Sequence, residues 1–148
     1  MTQSSTPKKV FVDGAIAPAF IADSIAKHQS KTNIGAHQIF LGQVRADVID
    51  GQTVLAIEYT AYKPMAEQIL SEIREQAFAQ FDLTCMHIYH SLGTVAAGEI
   101  CLFVFVSSGH RKASADALSF LVEAIKAQAP IFGKEIFEDG THTWKKNI

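Results

Sequence analysis

The run ICLFVFVSSGHRKASADALSFLVEAIKAQAP, from Ile100 to Pro130, joins two patterns that need different backbones. From Ile100 to Val106 the residues are apolar almost throughout. They lack the alternation of a strand with one wet face, so this strand is expected at the centre of a sheet, covered on both sides. After Ser107, Ser108 and Gly109 the period changes: Ala117, Leu118, Leu121, Ala124 and Ile125 recur at helical spacing and draw one apolar stripe. Pro130 ends the helix, because proline disfavours helical geometry in the residue before it.

Working outward, KVFVDG (residues 9–14) reads as a short strand, and APAFIADSIAKHQ (17–29) as a helix with Phe20, Ile21, Ile25 and Ala26 on one face. GAHQIFLGQVR (35–45) is a strand, and the Asp-Gly signal in ADVIDGQTV (46–54) marks a mobile loop. LAIEYTAY (55–62) is a further strand, followed by a helix over 63–81 with Met65, Ile69, Ile73 and Ala77 at fourfold spacing. Residues 84–108 give two strands around a turn with Gly93 and Gly98, and the tail from Ile131 adds one more strand and a turn. Strands and helices alternate without a regular repeat, which predicts an α+β domain of mixed or antiparallel strands with a long helix in its C-terminal half.

At 148 residues the chain fits a single domain, with residues 1–8 as a flexible polar leader. Apolar residues make up 48% and charged residues 19%, and no window approaches the roughly 18 apolar residues that cross a bilayer. The opening has no apolar stretch of secretory length, so a cytoplasmic protein without membrane association is expected. The net charge of −2 and the lack of a basic run interleaved with aromatics argue against nucleic acid. Cys85 and Cys101 fall in strand-like runs outside any metal-ligand spacing and read as buried apolar residues. His37, His87 and His90 suit packing or hydrogen bonding better than ligation, so no metal and no cofactor are expected in this chain.

Chemistry is expected at three places. A strand-loop-helix start such as SSGHRKAS leaves the first helical amides free for an anion, and His110 and Arg111 would add positive charge there. The alternative is that Ser108 only caps the helix and Arg111 is solvated. Lys126 lies in the last helical turn, where a lysine complements the carbonyl end of the dipole. It also borders the apolar stripe, with Val122 and Ser119 on its side, so a partly desolvated catalytic ammonium is the competing reading. Arg45 ends its strand after Gly42, at a common location for ligand contacts, although an edge arginine needs no ligand. Fifteen residues separate Arg111 from Lys126, roughly 22 Å along a helix. One helix cannot bring both to a small ligand, so a shared pocket requires a twofold dimer.

Four blocks carry a resemblance: FLGQVR (40–45), IEYTAYKPMAE (57–67), SSGHRKAS (107–114) and KAQAPIFGKE (126–135). In this order and at these separations they resemble the large, catalytic subunit of molybdopterin synthase, over roughly residues 34–144. The resemblance implies an α/β hammerhead fold and a homodimer of large subunits within a heterotetramer, each binding a small ubiquitin-like sulfur carrier. The carrier's Gly-Gly tail, activated as a thiocarboxylate, would enter a pocket. There it would give sulfur to cyclic pyranopterin monophosphate, forming the dithiolene of molybdopterin. By the same resemblance Lys126 is the catalytic lysine ahead of the proline, Arg45 the strand-end arginine, and His110 with Arg111 the His-Arg pair.

Two positions depart from the family pattern. Gly133 occupies the first of two basic places after the proline and Lys134 the second, so either Lys134 swings into the catalytic role or a single lysine serves. Thr60 stands where the family commonly has glutamate, and no catalytic weight attaches to it. The competing function is a non-catalytic dimeric module that binds a phosphorylated small-molecule effector, which accounts for Arg111 but gives Lys126 no task.

Overall fold

The apolar run from Ile100 forms an interior strand of a sheet, paired on both sides though next to the end strand. The computed structural model describes residues 9–145, so the expected leader lies outside the described residues. The elements in order are β1 (Phe11–Asp13), α1 (Pro18–His28), β2 (Ala36–Gln43), β3 (Val48–Ile49), β4 (Gln52–Ala61), α2 (Lys63–Gln80), β5 (Cys85–Ala96), β6 (Ile100–Ser108), α3 (Arg111–Gln128), β7 (Ile131–Phe137) and β8 (His142–Trp144). The sheet order is β2-β6-β5-β4-β7-β8, with β1 and β3 attached to β5 and β4. The β1 pairing is parallel and the others are antiparallel, giving a mixed α+β domain.

Every residue of β6 from Cys101 onward is buried, and the pleat sends successive side chains to opposite faces. Phe103 and Phe105, their rings stacked at 5.9 Å, pack with Ile16 and Ile21 beneath α1. Leu102, Val104 and Val106 join Leu121 and Ile125 of α3 and Leu70 and Ile73 of α2. Burying each large apolar side chain contributes about 1.5–3 kcal/mol relative to exposure, so a strand covered on both faces stabilises the fold from either side.

β5 binds two half-sheets together. Its first half, Cys85 to His90, pairs with β6, and its second half, Gly93 to Ala96, pairs with β4. The handover falls at Gly93, whose φ of +86° is a left-handed conformation that glycine adopts without steric cost. His90, just before this handover, lines the cavity described below.

Several expectations are corrected. The buried stripe of α2 is Ala66, Leu70, Ile73 and Ala77, while Met65 is exposed. A strict fourfold row drifts by about 40° per step around a helix of 3.6 residues per turn, so it leaves the core face within three steps. On α1, Ala26 is likewise exposed. The 46–54 segment contains a hairpin: Val48 and Ile49 pair with Thr53 and Gln52 around Asp50 (φ +52°) and Gly51 (φ +79°), the all-positive geometry of a two-residue turn. The tail forms two strands, with β8 on the sheet edge beyond β7. Among the described residues no helix is long and apolar enough to cross a membrane.

Candidate functional site

A cavity of about 560 Å³ lies where the two half-sheets meet the end of α3. Strand alternation decides what faces it. On β4 and β7, Tyr59 is opposite Gly133 and Ile57 is opposite Glu135, and all four line the cavity. The intervening pair, Glu58 and Lys134, faces the other way and forms an ion pair at 3.0 Å. Of the two expectations for Lys134, a swing into the catalytic role does not match its placement, because the period-two geometry of β7 turns it onto the opposite surface. That outer surface also holds a shallow aromatic groove of Thr60, Tyr62, Phe132 and Trp144.

Lys126 reaches the cavity from the last turn of α3. Ala129 is extended (φ −74°, ψ 130°), as a residue before proline must be, and its amide closes the helix on the Ile125 carbonyl at 3.1 Å. Lys126 is exposed at the rim rather than partly desolvated. Arg45 lines the same cavity, so the structure brings these two candidates together. Its guanidinium meets Asp47 through Nε at 3.0 Å and Nη2 at 3.3 Å. The Arg45 side chain is 72% exposed, and such a pair is held weakly enough for an incoming anion to take the arginine.

His90 and Tyr59 form the inner wall. His90 is buried, and its Nδ1–H donates to the Ser91 carbonyl at 2.8 Å, which leaves Nε2 as an acceptor. Burial, with the nearby charge of Lys126 adding to it against the opposing Ser91 hydrogen bond, pushes its pKa down to about 4, so the ring is neutral near pH 7. The Tyr59 ring stands nearly perpendicular to it at 5.0 Å. Burial first, then Cys101 and Glu135, push the Tyr59 phenol well above its ordinary range, which keeps it a neutral hydrogen-bonding group. Cys101 is buried as expected, yet it also lines the cavity, its thiol donating to the Gly42 carbonyl at 3.4 Å.

His110 and Arg111 lie at the other end of α3 and are exposed. The helical rise puts Arg111 roughly 22 Å from Lys126 within one chain. Ser108 does not cap the helix: its hydroxyl donates to the His110 carbonyl, His110 occupies the cap position, and no side chain caps the first turn. Ser107 is taken by His37, with Nδ1 and Oγ 2.6 Å apart, and His28 and His87 meet through their Nε2 atoms at 2.9 Å. The packing role expected of the strand histidines thus describes His37 and His87 but omits that His90 faces the cavity. Among the described residues no group of three or more His, Cys, Asp or Glu side chains could hold a metal.

The sequence reading also missed Tyr59, Asp47, Glu135 and Lys145 as cavity residues. For Glu135 a usable signal existed, since Gly133 and Glu135 share a strand face that Lys134 cannot. The others depend on which strands pair.

The MoaE protein family model matches residues 16–128. The chain is 37% identical over 113 residues to the molybdopterin synthase catalytic subunit of Bos taurus, covering 76% of this chain and 59% of that protein. It is 37% identical over 128 residues to molybdopterin synthase catalytic subunit 1 of Aedes aegypti, covering 84% and 80%. The chain thus spans less than two thirds of the bovine relative. A crystal structure of molybdopterin synthase from Staphylococcus aureus superposes with a TM-score of 0.79 at 28% identity, over 98% of this chain and 99% of that one. The complex of subunits 1 and 2 of molybdopterin-converting factor from Helicobacter pylori shares the fold at a TM-score of 0.79 and 19% identity, over 93% and 89%.

Proposed function

We propose, from the premise that this chain belongs to the MoaE protein family, that it is the catalytic subunit of a molybdopterin synthase. In this reading it moves sulfur from the thiocarboxylated tail of a small ubiquitin-like carrier to cyclic pyranopterin monophosphate. Each carrier gives up one sulfur and leaves as the carboxylate, so two carriers build one dithiolene. The observation that carries the reading is the cavity shared by Arg45 and Lys126.

An anionic substrate gives each group a task. Arg45 exchanges its exposed Asp47 partner for the pterin phosphate, which a planar guanidinium can meet through two hydrogen bonds. Lys126 is poised to give a proton to the departing oxygen as the carbon–sulfur bond replaces the carbon–oxygen bond, or to hold the thiocarboxylate, and its positive charge stabilises oxyanion character on the way. Neutral His90 offers Nε2 as an acceptor without competing for the anion. Lys134 has no part, being on the other face with Glu58. His110 and Arg111 act in this reading from a second copy of the chain in a dimer of large subunits, since their own Lys126 is out of reach. We place the reaction in the cytoplasm, where free thiols such as Cys85 and Cys101 persist.

The test is reconstitution with thiocarboxylated carrier and cyclic pyranopterin, followed by mass spectrometry. Dithiolene product from the wild type, lost in Lys126→Ala while carrier binding persists, is the expected result. Tight binding of the pterin phosphate with no product would favour a non-catalytic binding module and overturn the proposal.

A further inference from the structure

One row of residues crosses the cavity wall from strand to strand. Tyr59 on β4 is opposite Gly133 on β7, and the Lys145 amide donates to the Gly133 carbonyl at 2.8 Å, one position beyond the Lys134 and Trp144 pair. Directly opposed residues share a sheet face. Tyr59, Gly133 and Lys145 therefore all face the cavity, and all three line it. The middle position carries no side chain and has no room for one without movement. A Cβ at Gly133 would stand 2.9 Å from Ile57 Cγ2 and 3.3 Å from Tyr59 Cε1. A basic group on this wall has to come from the flanking strand, and the residue there is a half-buried lysine.

The local charge is consistent with a ligand role. Five side chains of the cavity are formally charged: Arg45, Lys126 and Lys145 against Asp47 and Glu135, with Asp47 already paired to Arg45. A lysine at the end of an edge strand could extend into water at little cost, yet the register turns this one inward.

We propose that Lys145 is a further anion-binding residue of this site, approaching from the β8 side as Lys126 does from the helix end. The inference rests on the function proposed above. Its ligand is an anionic end of a reactant, either the phosphate of the pterin or the thiocarboxylate of the carrier tail. The glycine at 133 is part of the device, because it leaves no side chain between Lys145 and Tyr59.

Steady-state kinetics of Lys145→Ala, Lys145→Arg and a control, Lys112→Ala on the exposed surface of α3, provide the test. Lys145→Ala should raise the KM of one reactant about tenfold or more, as expected for losing a charge-assisted hydrogen bond. Lys145→Arg should stay within about threefold, since it keeps the charge. A rise confined to the pterin assigns the phosphate, and one confined to the carrier assigns the thiocarboxylate. Wild-type turnover with both constants of Lys145→Ala matching the control would overturn the inference and leave the function intact. Absence of wild-type product would instead remove the function. Lys145 would then stand or fall on calorimetry with inorganic phosphate and with unactivated carrier, where equal affinities of wild type and Lys145→Ala for both would overturn it.

Discussion

His90 should make this protein lose stability as pH falls from about 6.5 toward 4. The ring is 8% exposed, and its pKa is lowered from 6.5 to about 4, first by burial and then by the charge of Lys126. A basic group with a depressed folded pKa is neutral in the fold while the unfolded chain already binds the proton. The contribution is therefore fully present above pH 6.5, declines below it, and levels off near 4. The gap of about 2.5 units, at about 1.4 kcal/mol per unit, is worth about 3 kcal/mol. Urea unfolding of wild type and His90→Gln between pH 7.5 and 4.5 isolates it, because the two proteins share every other titrating side chain. The difference between their unfolding free energies should move by about 2.5 kcal/mol across that range, in favour of the variant at the acid end, the rest appearing only below pH 4.5. NMR of the folded protein should show the His90 ring neutral at pH 6, and Lys126→Gln should raise its midpoint only part of the way to 6.5, since burial is the larger cause. Parallel stability curves, or a folded-state midpoint near 6.5, would refute the reasoning.

Three further outcomes follow from the geometry. Arg45→Ala should change unfolding free energy by only about 0–1 kcal/mol, since its ion pair is exposed, while, under the proposed function, raising the KM for the pterin about tenfold. Gly133→Ala should cost about 1–3 kcal/mol in urea titrations, because Ile57 and Tyr59 must move to admit the methyl group, and an unchanged midpoint would mean the wall is softer than its contacts imply. Phe103→Ala should cost about 3–5 kcal/mol by the same measurement, as the ring is wholly buried between α1 and the sheet.

How much of this was legible beforehand differs between fold and site. The central strand, the long helix and its end at Pro130 follow from local signals, because burial on two faces and the restriction imposed by proline are written in neighbouring residues. Arg45 and Lys126, which share the cavity, stand out in the sequence for the same reason: each marks the end of an element. Position along the chain brings Lys134 near the helix end, but strand parity sends its side chain to Glu58. His90, Tyr59 and Lys145 become neighbours of one cavity only through strand pairing, with β5 changing partners at Gly93 and β8 folding back on β7. Such long-range register has no short-range trace in a single sequence.

The chain contains one tryptophan, Trp144, which is 58% exposed on the outer face of the edge strand, next to Lys145. Its indole is already wet in the native state, so emission is expected to change little when the interior melts, and circular dichroism is the better monitor of global unfolding. The same placement makes it a built-in optical probe: anything that covers β8 would dry the ring and shift its fluorescence to the blue, without a label.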